Sequence, residues 1–174
     1  MASVIYVSKA GLDLLDRRLE ELGEELKVLR AEKATAYTAT GDTWHDNPYF
    51  NRLEQDEKRK AQEVADLNAL IASAQVFVFD KRNTMRVQLG SIVLLNRYYK
   101  VSGEEEELVW EIVGYGETDV SQRRVAYNAP MVQALMGLHI GDTGQSDGPK
   151  GPVEYEVLAL FATWDEIPEK FKGG

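Results

Sequence analysis

Gly41-Asp42-Thr43-Trp44-His45-Asp46-Asn47-Pro48-Tyr49-Phe50 is the point where two apolar heptad patterns, one from each side, come to a stop. Upstream, Leu12, Leu15, Leu19, Leu22, Leu26 and Leu29 recur at alternating spacings of three and four, the a/d seam of a coiled coil. Downstream the rhythm resumes through Phe50, Leu53, Glu57, Lys60, Val64, Leu67, Ile71 and Ala74. If the two segments fold back on each other, the numbers of facing residues must add to a constant. Leu29 with Lys60, Leu26 with Val64, Leu22 with Leu67 and Leu19 with Ile71 agree to within one. The fold-back then lies at Trp44-His45, and the stretch is the tip of a long helical hairpin. Gly41 suits the end of the first helix, Asp46 or Asn47 the cap of the second, and Pro48 its first helical position. Two carboxylates, Asp42 and Asp46, are thereby held at the end of a rod.

Ser8 is placed to cap the first helix, with Val7 and Leu12 as a hydrophobic staple across it. The helix then runs to about Thr40, on the order of 50 Å at about 1.5 Å per residue. Glu20, Glu21, Glu24 and Glu25 make its outer face a solvated acidic surface. Toward the tip the seam turns polar, for the same register sets Lys33 against Glu57 and Lys60 against Leu29. Polar seam residues fix register and lower stability, so the distal third is expected to be the looser part.

A hairpin cannot bury a globular core by itself, and 174 residues suit two small domains. The balance of 20 Lys plus Arg against 29 Asp plus Glu, a net charge of −9, argues against the broad basic surface of a nonspecific duplex binder and favours a protein partner. Without cysteine there is no disulfide framework and no Cys-ligated zinc, which fits a reducing, cytoplasmic compartment. The apolar run Val4-Ile5-Tyr6-Val7 is too short for a signal peptide or a membrane span.

After Ala74 the period changes. Gln75 to Phe79 reads as a strand or extended lead-in and Asp80-Lys81-Arg82-Asn83 as a polar linker, which divides the chain into residues 1–75 and 76–174. Strands are expected over Val87 to Leu95 (interrupted by Gly90), Leu108 to Val113, Arg123 to Tyr127 and Val153 to Leu160. Gly103 to Glu107 reads as a hairpin turn with solvated charges. Pro130 to Gly137 has a helix-starting proline and a stopping glycine. This half is therefore α+β, one short helix on an antiparallel sheet. The tail from Trp164 to Gly174 reads as loosely ordered, with Trp164, Ile167 and Phe171 able to pack back on the sheet.

With these elements placed, the sequence resembles the bacterial Gre transcript-cleavage factors over nearly its whole length. The tip is similar to that family's Gly-Asp-Leu-x-Glu-Asn-x-x-Tyr, spelled here Gly41-Asp42, Asp46-Asn47 and Phe50. The second half carries, in order, Gly90-Ser91-Ile92-Val93, Ile112-Val113-Gly114, Glu117-Thr118-Asp119, Asn128-Ala129-Pro130, Ala134-Leu135-Met136-Gly137, Gly141-Asp142 and Pro149-Lys150-Gly151 before Tyr155-Glu156. One tripeptide would mean little, but the ordered series after an antiparallel coiled coil is specific.

The resemblance implies a coiled coil inserted through the secondary channel of RNA polymerase and an FKBP-like domain docked at the channel mouth. It implies a monomer that does not act on membranes and is not itself an enzyme. Asp42 and Asp46 would help the polymerase hold a Mg2+ ion, so that the 3′ end of backtracked nascent RNA is hydrolysed. Asn47 beside the tip acids, Asp119, and the stretch with Asn128, Ala129, Pro130, Met131, Leu135 and Gly137 would contact the polymerase. Mg2+ needs about six oxygens in near-octahedral geometry, so two carboxylates at a rod tip make no self-sufficient site. They can complete a two-metal site that another protein holds.

The tip departs from the family pattern. The two acids are four apart instead of three, the second is Asp instead of Glu, and Tyr49 stands where another acid is common. In a turn, the extra residue can shift one carboxylate further than active-site chemistry tolerates, which leaves a non-cleaving channel binder as the alternative. Asp42 and Asp46 also have a purely structural reading as caps and turn residues. His45 reads as a turn residue, since its only possible His partner, His139, lies in the other half. Trp44 reads equally well as a polymerase anchor and as a cover for the hairpin end. A free-standing prolyl isomerase or peptide-binding module fits less well, for the second half shows no aromatic-lined pocket to hold proline and the charged tip would have no purpose.

Overall fold

The computed structural model describes residues 4–40, 46–78 and 82–172. Of the segments read from the sequence, residues 41–45 of the tip and 79–81 of the linker lie outside the described residues. The chain divides into two compact units, Met1–Ile5 with Leu12–Gln75, and Tyr6–Gly11 with Val76–Gly174.

α1 (Lys9–Thr40), which belongs to the first unit from Leu12 onward, and α2 (Pro48–Ala72) run antiparallel. Over residues 12–39, only Leu12, Leu15, Leu19, Leu22, Leu26, Leu29, Lys33 and Ala36 are withdrawn from solvent, so one narrow heptad stripe makes the contact. The facing residues keep the register read from the sequence, since the Lys33 ammonium pairs with the Glu57 carboxylate. Lys60 carries its charge sideways to Glu25 of α1 at 2.8 Å and to Glu63 of its own helix at 3.1 Å. Beyond this polar layer, where the sequence suggested loosening, Ala36, Phe50 and Leu53 form a buried cluster with Leu29 against it. Tyr37 adds its ring at 6.2 Å from that of Phe50. Alanine at position 36 continues the first heptad with a side chain too small to stand out in the apolar pattern.

β1 (Ile5–Val7) and β2 (Ala74–Val76) pair as a two-stranded sheet. The second unit is built on five strands: β3 (Ile92–Tyr99), β4 (Glu105–Val113), β5 (Arg124–Ala126), β6 (Thr143–Gly148) and β7 (Gly151–Phe161). Their spatial order is β5-β4-β3-β7-β6, antiparallel except for the parallel pair β4–β5. α3 (Pro130–Leu135) is a short α-helix.

All four residues of Ile92-Val93-Leu94-Leu95 are buried, as expected for a strand covered on both faces. Val93 and Leu95 join Ile112, Val157, Val132 and Leu135 in the larger core. Ile92 and Leu94 point the other way and meet Val109 and Ile167. The second face is closed by the tail, in which Trp164, Ile167 and Phe171 pack on the sheet. The tail is also tied by Lys170 to Glu107 and by Arg123 to the Phe171 carbonyl.

Several boundaries differ from the sequence reading. β3 begins after Gly90 and runs on to Tyr99, and the turn read over Gly103 to Glu107 closes earlier, with Gly103 at φ 73 and its N–H on the Tyr99 carbonyl. The acidic residues Glu105 to Glu107 therefore lie in β4, and Glu106 pairs with Arg97 across the hairpin. β6 was not expected at all. Thr143–Gly148 contains no large apolar residue, and its strand state comes from pairing with β7. The linker end is pinned as well, since Arg82 and Arg124 both hold the buried carboxylate of Glu111.

Candidate functional site at the hairpin end

Asn47 takes the N-cap position of α2, its Oδ1 accepts the Tyr49 N–H at 3.0 Å, and Pro48 opens the helix. Of the two residues able to cap, Asn47 does so. Asp46 is exposed directly before it, and its carboxylate is left out of the cap. Asp42, the other acid singled out, lies outside the described residues, as do Trp44 and His45. Beside the cap, Ala31, Glu32, Thr35, Ala36, Ala39, Asn47 and Tyr49 line an open groove of about 480 Å³. Among the described residues no three His, Cys, Asp or Glu come together to hold a metal ion. The carboxylate oxygens of Asp46 are hard donors of the kind Mg2+ takes, but one carboxylate fills only a small part of the about six-oxygen shell that the ion requires.

The charged layer behind the tip sets the register that carries it. Glu57 is held below its ordinary carboxylate value, first by the Lys33 ammonium paired with it and then by Arg30 at 3.0 Å. Glu25 is lowered by its hydrogen bond with Lys60, whose own value is raised by Glu25 and Glu63. A carboxylate depressed in the folded state contributes stability that is fully present above its unfolded value and is lost as pH falls through the folded one. The hairpin should accordingly lose stability on acidification below the ordinary glutamate value of 4.5. Replacing Lys33 and Glu57 together with Leu should raise its melting temperature at neutral pH and flatten this acid limb. Apolar replacement of a buried pair is neutral or stabilising by up to ~4 kcal/mol, and this half-exposed pair belongs at the low end. Thermal melts of both proteins between neutral pH and about pH 3 check both statements, and a marked loss of stability at neutral pH would contradict the observed register.

In the second unit, the residues singled out for partner contact divide into surface and core. Asn128, Pro130 and Gly137 are exposed, and Ala129 and Met131 are half-buried. Leu135 is 1 % exposed and belongs to the core. The helical period turns Val132 and Leu135 of α3 inward together, so the surface role expected for Leu135 is not open to its side chain. Met136 is on the exposed side instead. Gly137 takes φ 84 and donates its N–H to the Val87 carbonyl at 2.8 Å, which ends the helix. Asp119 caps a short 3-10 turn (Val120–Gln122), accepting from the Gln122 N–H at 3.2 Å and the Ser121 hydroxyl at 2.5 Å. The Ser121 hydroxyl is the main reason that its carboxyl titrates below its ordinary range. His139 donates its backbone N–H to Asp142 at 2.8 Å and so serves a turn.

No helix of the described residues is long and apolar enough to cross a membrane. The C-terminal domain of transcription elongation factors GreA/GreB is the family whose pattern matches residues 82–160. Transcription elongation factor GreA of Orientia tsutsugamushi is 30% identical over 147 residues, spanning 82% of this chain and 89% of that protein. GreA of Sinorhizobium medicae is 27% identical over 160 residues, or 92% and 98% of the two chains. A solved structure of the transcription factor Gfh1 aligns over 92% of this chain and 99% of its own at 26% identity, with a TM-score of 0.44. The family pattern covers the sheet unit, and the 30% identity to the Orientia protein extends over nine-tenths of that relative's length, so the chain belongs to the GreA/GreB family of transcription elongation factors.

Proposed function

We propose that this elongation factor acts on RNA polymerase by presenting its hairpin end at the catalytic centre through the secondary channel, and that it stimulates the polymerase's own cleavage of backtracked RNA. The observation that carries this reading is the exposed Asp46 carboxylate, spared from capping by Asn47, at the end of a hairpin whose register is fixed by Lys33 and Glu57. Asp42 and Asp46 would supply oxygens to a Mg2+ ion shared with the polymerase. Such an ion activates water and stabilises charge developing on the scissile phosphate. Among the described residues there is no complete metal site, and in this reading the carboxylates serve a site that the polymerase holds. The sheet unit supplies affinity through the exposed surface around Asn128, Pro130 and Met136.

A second reading, a channel occupant that does not promote cleavage, is favoured by the spacing of four between Asp42 and Asp46. Incubating a stalled, backtracked transcription complex with the protein and Mg2+ separates the two. Shortening of the RNA from its 3′ end supports the first reading. Binding that slows elongation without shortening supports the second.

A further inference from the structure

α1 has no acidic residue in its own first turn. Its N-cap is Ser8, whose hydroxyl oxygen accepts the Gly11 N–H at 3.0 Å. This is half of a capping box, in which the third helical residue is normally Glu or Gln and returns its side chain to the cap's backbone N–H. Here the third residue is Gly11, which has no side chain to return. The Ser8 N–H instead donates to Oε1 of Glu117 at 2.6 Å, from a turn 109 residues further along the chain.

The space around this contact explains the glycine. A Cβ on Gly11 would lie 2.3 Å from Glu117 Oε1, and a Cβ on Gly114 would lie at the same 2.3 Å from the same atom and 2.9 Å from the Val7 Cα. Gly11 and Gly114 are both buried and form the two walls of a slot that the carboxylate fills. The approach to the slot is fixed by the Tyr115 N–H bonding to the Tyr6 carbonyl at 2.8 Å and by the Phe77 N–H bonding to the Val7 carbonyl at 3.0 Å. A carboxylate at a helix N-terminus also complements the positive end of the helix dipole.

We infer that Glu117 is a positioning residue that completes the N-terminal cap of α1 within the sheet unit, to which Tyr6–Gly11 belong, so that the first turn of that helix is held closed when the Gly11–Gly114 slot is occupied. This assignment stands on the geometry of one unit and needs no polymerase. Its consequence for transcription rests on the function proposed above: a frayed α1 start should weaken the effect on RNA while leaving the affinity of the sheet unit in place.

Amide hydrogen exchange on the full chain tests it. Glu117→Ala should speed exchange at Ser8 and in the first turn of α1 by roughly 2- to 30-fold, the range that loss of an N-terminal cap spans. Gly11→Ala should do the same by displacing the carboxylate. The double variant Gly11→Glu with Glu117→Ala moves the carboxylate to the third helical position, where it can close a local capping box, and should restore protection at Ser8. A residue that merely fills space would not be rescued by relocation. Unchanged exchange in Glu117→Ala, natural protection in Gly11→Ala, or a double variant as unprotected as Glu117→Ala overturns the assignment. Because exchange is read on the free protein, it keeps its meaning even if no effect on RNA is found.

Discussion

Excising residues 38–52 and closing the hairpin with a short turn should abolish the effect on backtracked RNA while leaving polymerase binding within about tenfold, or ~1.4 kcal/mol. The excised segment takes Phe50 with it, so Ala36 and Leu53 become the last apolar pair. The Lys33–Glu57 layer just behind them remains to hold the register. The shortened hairpin should therefore stay helical, with a lower melting temperature from the loss of Phe50. Its effect on RNA should vanish because the carboxylates are gone and the rod no longer reaches. Binding can be read by competition with the natural protein, and RNA length on a stalled complex gives the second readout. Loss of all binding would show that the hairpin end carries affinity, and the division of labour between the two units would have to be abandoned.

The hairpin was legible because a heptad repeats many times and because facing positions in an antiparallel pair are tied by one number. Counting alone placed Lys33 against Glu57, and the structure has that pair. Counting could not tell that the Lys60 ammonium would reach Glu25, since a long flexible side chain chooses among charges that heptad position does not rank. Nor could it decide between Asp46 and Asn47 as the cap, because both side chains can accept the same N–H. In the sheet unit, strands with apolar alternation were visible and β6 was not, since a polar edge strand owes its state to its neighbour. The surface role expected for Leu135 failed for a related reason, for a family motif marks a segment, whereas the helical period decides which of its side chains point out. The cap from Glu117 was invisible, because its only local trace is a glycine where an acid would be usual, and its partner is 109 residues away.

At the tip itself, Asp46→Asn and Asp42→Asn should each reduce cleavage by at least ~100-fold, the scale expected when a group that stabilises transition-state charge is lost. Asp46→Asn is the cleaner of the two. Asn47 and not Asp46 caps α2, and Asp46 is exposed, so the substitution removes a charge without disturbing the helix start or the Phe50 cluster. Melting temperature and polymerase binding should both stay close to those of the natural protein, and a direct binding assay with each variant is the control. If natural cleavage is already weak because the acids stand four apart, deleting Trp44 or His45 and changing Asp46 to Glu should strengthen it. That variant shortens the connection by one residue and lengthens the reach of the second acid by one methylene, and both changes lie ahead of the Asn47 cap. A gain in cleavage with unchanged binding would identify misplacement of a carboxylate, by an ångström or so, as the limit on the natural protein. Undiminished cleavage in both Asn variants would remove the carboxylates from the mechanism and leave steric occupation of the channel as the way this chain acts.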